Sequence, residues 1–172
     1  METGTDLSPR AAGRTRLEPS EKRAAYRDCA QQLGGLLAGI DDPVVVMASA
    51  ASLIFYAVPQ ASFVGFYRVV APGLLRVGPY QGPVACIDIA FERGVCGAAA
   101  RTGKTQLVSD VDAFPGHIAC DAGARSEIVL PVWDRKDELV AVLDVDSHQL
   151  AAFDEIDQEG LEAIVRALRE HL

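Results

Sequence analysis

The sequence predicts an α+β domain in which helices flank a central antiparallel sheet of about six strands. Apolar residues recur at helical spacing near both ends of the chain. Between these ends they alternate with a period of two, and short polar or proline-containing turns separate the alternating runs. A run of strands with helices on both sides is typical of an α+β domain with an antiparallel sheet.

Two helices are predicted before the strands. The first is expected to run from Ser20, its N-cap, to about Ala38, because alanine and leucine recur there at helical spacing. Asp42 and Pro43 suit the cap and first turn of a second helix, and Pro59 ends it.

The remaining elements follow from the change of period after the second helix. The prediction comprises strands at 62–70, 74–80, 87–91, 105–108, 126–133 and 139–147, a short helix at 94–101 before Gly103, and a last helix from about Asp154. A loop of about 16 residues without clear periodicity separates the fourth strand from the fifth and contains Cys120. Loops of this length inside a compact domain are usually functional, so this loop is a candidate site.

The composition predicts one acidic domain. At 172 residues, 49% of them apolar, the chain is long enough to bury a core without disulfides. Residues 1–19 lack the apolar core of a signal peptide and are expected to be a disordered leader, with 20–172 as a single domain. The net charge of -8 disfavours nucleic acid as a partner, and no apolar run is long enough to span a membrane. A cytoplasmic location is therefore expected.

Four cysteines in a cytoplasmic chain suggest catalysis, metal binding or burial before they suggest a structural disulfide. Cys29 falls on the apolar stripe of the first helix and is expected to be an inert core thiol. Cys96 opens the short helix, where spacing favours burial although the helix dipole would lower the thiol pKa. Cys86 begins a predicted strand, where a role in packing and a role in redox chemistry are equally expected. Cys120 is the best candidate nucleophile because its loop offers exposure and polar neighbours.

Three acidic residues are predicted to gather beside one end of the sheet. Asp144 and Asp146 alternate in the last strand and share one face, and Glu127 occupies the neighbouring strand. If the apolar rows of these strands face the same side, repulsion and partial burial would raise the pKa of some of the acids. They would then supply a proton donor at neutral pH or an anionic pocket for an ammonium group. The alternative is that Asp144 and Asp146 end their strand at a solvated turn.

A zinc site formed by Cys86, Cys96, His117 and Cys120 is a weaker alternative. Paired Cys-x-x-Cys motifs are absent, and only the His-x-x-Cys spacing from His117 to Cys120 is compact. We therefore assign no metal.

A series of motifs runs from about Ser62 to the C-terminus. In order they are GFY at 65–67, VGPYQGPVACIDI, RGVCGAAA, GHIACD, SEIVLPV and VLDVDS. Together they resemble the free methionine-R-sulfoxide reductases, which are small GAF-domain proteins. The combination of three cysteines and paired acids is far more specific than a general GAF signature. The resemblance implies a GAF-like catalytic domain.

The resemblance also implies roles for the three cysteines. The family cysteine that matches Cys120 attacks the sulfoxide sulfur, and the one that matches Cys86 resolves the resulting sulfenic acid as a disulfide. The one that matches Cys96 has an auxiliary role or serves as an alternative resolving thiol.

The acids and aromatic residues of the site are implied in the same way. The family's substrate-site carboxylates match Glu127, Asp144 and Asp146, and we assign a proton-transfer role to Glu127 and Asp146. Tyr67 matches an aromatic residue near the pocket. Phe63 stands where the family usually has tryptophan, which implies a smaller contact with the substrate methyl group.

The implied activity is reduction of free methionine-R-sulfoxide to methionine without a bound cofactor. Thioredoxin or a similar dithiol would reduce the disulfide that results. The alternative function is a GAF-type ligand or redox sensor without turnover, which would share the fold and the pocket. The sequence leaves open whether the chain forms a homodimer.

Overall fold

The computed structural model describes residues 16–117 and 120–172, and a six-stranded antiparallel sheet forms its centre. The strands are β1 (Phe63–Ala71), β2 (Leu74–Gln81), β3 (Asp88–Ala90), β4 (Gln106–Val108), β5 (Ser126–Trp133) and β6 (Leu139–Ser147). The helices are α1 (Pro19–Leu36), α2 (Pro43–Ala57), α3 (Gly94–Thr102) and α4 (Glu155–Leu168). The strand order is β3-β2-β1-β6-β5-β4, which makes β1 and β6 the central pair. The predicted α+β architecture is confirmed.

The start of α1 differs from the prediction. Glu18 rather than Ser20 is the N-cap, and a reciprocal capping box joins the side chains and backbone of Glu18 and Glu21. Pro19 occupies the first helical position, where a missing N–H costs nothing, so the helix begins before the serine. Residues 1–15 of the predicted leader lie outside the described residues.

The third strand is shorter than predicted. β3 pairs only with the start of β2, and Cys86 therefore lies in the loop before β3 rather than at the beginning of a strand. Gly82 has a positive φ of 123°, and Pro83 has no N–H to offer a sheet, so the chain leaves β2 in a loop. The other predicted elements agree with the structure to within two residues at their ends.

The two faces of the sheet are covered differently. α1, α2 and α4 pack on one face, where Phe66, Leu143 and their neighbours form the larger apolar core. On the opposite face, α3 and loop residues that include both Cys86 and Cys120 surround a smaller apolar cluster containing Tyr67 and Val142. Strand alternation places adjacent residues of β1 and β6 in different clusters, so one pair of central strands supplies both faces.

A buried ion pair joins α1 to α4 on the larger-core face. Lys22 Nζ lies 2.5 Å from Asp157 and 2.7 Å from Asp154. The Tyr26 hydroxyl donates to the other oxygen of Asp157 at 2.9 Å, and the Asp154 N–H donates to the Lys22-bound oxygen at 2.9 Å. Both Asp157 oxygens are therefore partnered.

No helix in the described ranges is long and apolar enough to cross a membrane.

Candidate active site

Three carboxylates meet on the smaller-cluster face of the sheet, which we call the site face. Glu127 in β5 lies opposite Asp146 in β6, and Asp144 is two residues away on the same face of β6. One oxygen from each side chain can be chosen so that all three lie within 4.8 Å of one another. Glu127 is 6% and Asp144 is 5% exposed, and Asp146 is half-buried. The predicted gathering is confirmed, and the solvated-turn alternative is wrong because the strand pairing holds these acids inside the protein.

The acid triad of Glu127, Asp144 and Asp146 favours protonated carboxyl groups. Burial raises the pKa of Glu127 and of Asp146 well above their usual values, and the charge of Asp144 raises both further. A hydrogen bond between Asp146 and Glu127 raises the pKa of Asp146 and lowers that of Glu127. Burial also raises the pKa of Asp144 to about 7, although a hydrogen bond from Cys96 opposes the shift.

Two oxygens of the triad have no donor within the described part of the chain. They are Oε1 of Glu127 and Oδ1 of Asp144, and both atoms are buried. A buried acceptor without a donor costs about 1–3 kcal/mol. The triad therefore offers two acceptors to a ligand that brings N–H groups or positive charge.

Cys96 is held against this triad by α3. It is the third residue of the helix, it is 5% exposed, and its thiol hydrogen-bonds to Asp144. Burial, followed by the charge of Asp144, raises the pKa of Cys96 well above its usual value, so these effects outweigh the helix dipole. Gly97 lets α3 lie close to the backbone at the end of β3, because a Cβ there would lie 2.6 Å from the carbonyl oxygen of Phe91. The expected burial of Cys96 is confirmed, and its contact is a carboxylate rather than only apolar atoms.

Cys86 and Cys120 form a disulfide, with an S–S distance of 2.00 Å and a Cα–Cα distance of 5.2 Å. The bond joins the loop before β3 to the long loop before β5, and both cysteines are half-buried against the site-face cluster. The pairing is the one that the resemblance implies. Cys29 is buried and free, as expected, and burial raises its pKa to about 11.

A cavity of about 30 Å³ lies between the triad, α3 and the long loop. Its lining residues are Ile89, Gly94, Val95, Cys96, His117, Cys120, Asp121, Ala124, Glu127, Asp144 and Asp146. The cavity therefore brings together Cys96, Cys120 and all three predicted acids. A water needs roughly 10–15 Å³ on this measure, so the space in this disulfide state suits about two waters.

The predicted aromatic residues lie beside the cavity rather than among its lining residues. Phe63 pairs with Asp146 across β1 and β6, and Tyr67 lies further along the same face of β1. The Phe63 ring stacks on Tyr80, with ring centroids 5.5 Å apart. A Cβ at Gly65 would lie 2.5 Å from the Phe63 ring, so the glycine makes room for that ring opposite Asp144.

Sequence reasoning did not assign roles to Asp121 and His148. Asp121 lines the cavity and accepts a hydrogen bond from the Gly123 N–H at 2.9 Å, and it lies 2.7 Å from Nε2 of His148. The Gly123 N–H, followed by His148, lowers the pKa of Asp121. Asp121 ends the GHIACD motif and His148 directly follows VLDVDS, and this position beside predicted site residues is the signal that could have identified them.

The zinc alternative does not match these positions. Cys86 and Cys120 are bonded to each other, so neither offers a thiolate to a metal. Among the described residues, the acid triad is the group of side chains spaced closely enough to hold a metal ion.

The chain is similar to known proteins over most of its length. A GAF-domain family model matches residues 46–170. The free methionine-R-sulfoxide reductase of Escherichia coli is 36% identical over 151 residues, which cover 88% of this chain and 90% of the relative.

Two solved structures superimpose with TM-scores of 0.83. One is the free methionine-R-sulfoxide reductase of Neisseria meningitidis in complex with its substrate, at 38% identity and with 95% of each chain covered. The other is described as a GAF sensor protein from Burkholderia vietnamiensis, at 43% identity, with 87% of this chain and 94% of that chain covered. The chain belongs to the free methionine-R-sulfoxide reductase family of GAF-domain proteins.

Proposed function

We propose that this protein reduces free methionine-R-sulfoxide to methionine with Cys120 as the nucleophile. The observation that carries the proposal is the position of Cys120, which is disulfide-bonded to Cys86 and lines the same cavity as three buried carboxylates. Sulfoxide reduction needs a thiol near a proton donor, because the sulfur becomes electrophilic only when its oxygen is protonated or strongly hydrogen-bonded. The relatives named free methionine-R-sulfoxide reductases support the same activity.

The proposed reaction has two thiol steps. The Cys120 sulfur attacks the sulfoxide sulfur as a thiolate while Asp146, supported by Glu127, protonates the oxygen. The S–O bond of the substrate then breaks as the hydroxyl group passes to Cys120, and the products are methionine and a sulfenic acid on Cys120. Cys86 then attacks the sulfenic sulfur, water leaves, and the Cys86–Cys120 disulfide forms. An external dithiol must reduce that disulfide, and we assign this step to thioredoxin or a similar protein. Cys96 has the auxiliary role of donating a hydrogen bond to Asp144.

The same geometry favours a free amino acid as substrate. The α-ammonium group of free methionine sulfoxide would supply positive charge and N–H donors to the unpartnered oxygens of Glu127 and Asp144. A methionine within a polypeptide has lost this charge. Phe63 is proposed to contact the substrate methyl group with Tyr67 nearby, so the S form would place its oxygen where the methyl group belongs and react negligibly.

Substrate entry requires a larger space than this disulfide state provides. Small-molecule sites usually measure about 300–1,000 Å³, whereas the cavity here measures about 30 Å³. Because Cys120 lines the cavity and is bonded to the opposite loop, we expect reduction of the disulfide to let the two loops separate. The disulfide state is then the product of turnover, and the reduced protein is the form that binds substrate.

A single-turnover experiment tests the assignment of the thiols. With fully reduced protein and excess free methionine-R-sulfoxide, Cys86→Ser is expected to release about one equivalent of methionine per chain and then fail to recycle with thioredoxin. Cys120→Ser is expected to release none. Cys29→Ala is the matched control, since Cys29 is buried in the other core, and it should keep full turnover. Methionine release by Cys120→Ser would exclude Cys120 as the nucleophile.

A ligand or redox sensor without turnover is the second candidate, because a structure 43% identical to this chain is described as a GAF sensor protein. A sensor would become oxidised once per chain and would not release many equivalents of methionine with thioredoxin, thioredoxin reductase and NADPH. Sustained NADPH consumption with the R form decides for the reductase. We further propose a cytoplasmic location, where such reductants operate.

A further inference from the structure

The loop before β3 carries an unusual apolar surface beside the disulfide. Val84 is 81% exposed and Ile87 is 64% exposed, the highest values for large apolar side chains among the described residues. They lie on either side of Cys86 in the sequence, and Pro83 extends the apolar run. Single exposed apolar residues are common on proteins, but two beside a redox cysteine mark a surface that a partner can cover.

The backbone of this segment is also unpaired. Within the described ranges, the N–H and C=O groups of Val84, Ala85 and Cys86 make no hydrogen bond, whereas the Ile87 carbonyl accepts from the Val77 N–H at 2.9 Å. A partner that binds a peptide segment through main-chain hydrogen bonds needs unpaired backbone groups, and exposed apolar side chains beside them supply further contacts.

Charge distinguishes the two sulfur atoms of the disulfide. The segment 83–87 has no charged residue, and the adjacent Asp88 is neutralised by Arg76 through bonds of 2.7 and 2.9 Å. Cys120, in contrast, lines the cavity together with the acid triad and Asp121. A thiolate that approaches Cys120 would meet the charge of Asp121, whose pKa is lowered, and near neutral pH that of Asp144, whose pKa is about 7, whereas one that approaches Cys86 would meet no unpaired charge.

We propose that residues 83–87 are the docking segment for a protein dithiol reductant of the thioredoxin class, and that the reductant attacks Sγ of Cys86. The proposal rests on the proposed function, because that function requires the disulfide to be reduced after every turnover. Reduction by thiol–disulfide exchange requires a thiolate in contact with one of the two sulfur atoms, and the apolar surface with free backbone groups fits a protein rather than a small charged thiol.

The exchange is balanced in two steps. The first thiolate of the reductant bonds to Sγ of Cys86, the Cys86–Cys120 bond breaks, and the Cys120 sulfur leaves with the electron pair and takes a proton from a neighbouring carboxyl group. The second thiol of the reductant, as its thiolate, then attacks the reductant sulfur of the mixed disulfide. Cys86 leaves as a thiolate and is protonated, and the reductant departs as a disulfide. The residue that becomes free first is Cys120, which is the proposed nucleophile.

Substitution of the docking segment separates this proposal from the proposed function. Val84→Glu adds a charge at a side chain that is 81% exposed, so the fold should be unaffected. We expect kcat/KM for a bacterial thioredoxin to fall about tenfold or more, with turnover in dithiothreitol unchanged. Val44→Glu is the control, because Val44 is 59% exposed on the first turn of α2, and it should match the wild type with both reductants.

Two results are informative in different ways. Equal thioredoxin kinetics for Val84→Glu and the wild type would overturn the docking segment. A wild type that fails to turn over in dithiothreitol would instead overturn the reductase activity, so the two failures are distinguishable.

Trapping tests which sulfur is attacked. The oxidised protein is mixed with a thioredoxin variant that lacks its second cysteine, quenched in acid and digested with trypsin. Cys86 and Cys120 fall on separate tryptic peptides, 77–93 and 105–125. We expect the thioredoxin peptide on 77–93, and its presence on 105–125 instead would overturn the assignment of Cys86.

Discussion

Buried carboxylates occur on both faces of the sheet, but in the part of the chain that the structure describes only those on the larger-core face have hydrogen-bond donors for both oxygens. On the larger-core face, Asp157 is 1% exposed, and both of its oxygens have donors that include Lys22 and Tyr26. On the site face, Glu127 and Asp144 are almost as buried, yet each has an oxygen without a donor within the described residues. None of the ion pairs among the described residues involves the acid triad, so the triad has no cationic partner there.

The pKa values reflect this difference. Burial raises the pKa of Asp157, but Lys22, the Asp154 N–H and Tyr26 all oppose the shift. In the triad, burial raises the pKa of Glu127 and of Asp146, and the charge of Asp144 raises both values further. A buried acid with all its partners stabilises one arrangement of helices. Buried acids without partners cost stability, and such a cost is expected where a ligand completes the site.

The largest predicted effect is a loss of stability on the larger-core face. Lys22→Met would leave Asp157 buried without its cation, which should lower the free energy of unfolding by about 3–5 kcal/mol. Activity per folded molecule should be unchanged, because Lys22 lies on the face opposite the cavity. Urea denaturation followed by circular dichroism measures the loss.

Arg23→Met is the control for that change. Arg23 pairs with Glu159 between the same two helices, but both side chains are more than half exposed, so the loss should be below about 1 kcal/mol. Equal losses for the two variants would show that the Lys22 pair is not a buried structural link.

Substitutions on the site face should lower activity rather than stability. Asp146→Asn and Glu127→Gln preserve size but remove a proton source, so kcat/KM for free methionine-R-sulfoxide should fall about a hundredfold. Stability should stay the same or rise, because each change removes a buried acid that has no cation. Near-normal rates in both variants would contradict a role for these acids in proton transfer.

The dependence of stability on pH should also report on the site face. The pKa of Asp144 is raised to about 7 in the folded protein, whereas an unfolded aspartate titrates near roughly 3.9. Between these values the folded state holds the extra proton, so the free energy of unfolding should decrease as pH rises from about 4 to 7. Asp144→Asn should flatten this decrease, and denaturation curves at pH 5 and pH 7.5 measure it. An unchanged slope would mean that Asp144 titrates normally.

The smallest effect is predicted for the aromatic residue beside the triad. Phe63→Trp restores the larger ring that the family usually carries, so KM for free methionine-R-sulfoxide should fall by about two- to fivefold. The Phe63 ring already stacks on Tyr80, and the tryptophan has to be accommodated there. A higher KM would show that the pocket is built around phenylalanine.

Much of this arrangement could be predicted from the sequence because it follows from local rules. The period of two in β6 placed Asp144 and Asp146 on one face, and the structure confirms this, since the register with β5 is continuous around both residues. The loop position of Cys86 could not be predicted, because β3 begins only at Asp88, the first of its residues to pair with β2, and that pairing depends on a segment 12 or more residues away. The contact of Cys96 with Asp144 and of Asp121 with His148 also depends on packing between elements that are distant in the chain.

The most direct test of the central claim compares free and N-acetylated methionine-R-sulfoxide. If the unpartnered oxygens of Glu127 and Asp144 receive the substrate ammonium, acetylation removes that charge and should lower kcat/KM about 10- to 100-fold in a dithiothreitol-coupled assay. The Asp144→Asn variant should discriminate less between the two compounds. Equal kcat/KM values for both compounds with the wild type would contradict the account, because the acid triad would then have no role in recognising a free amino acid.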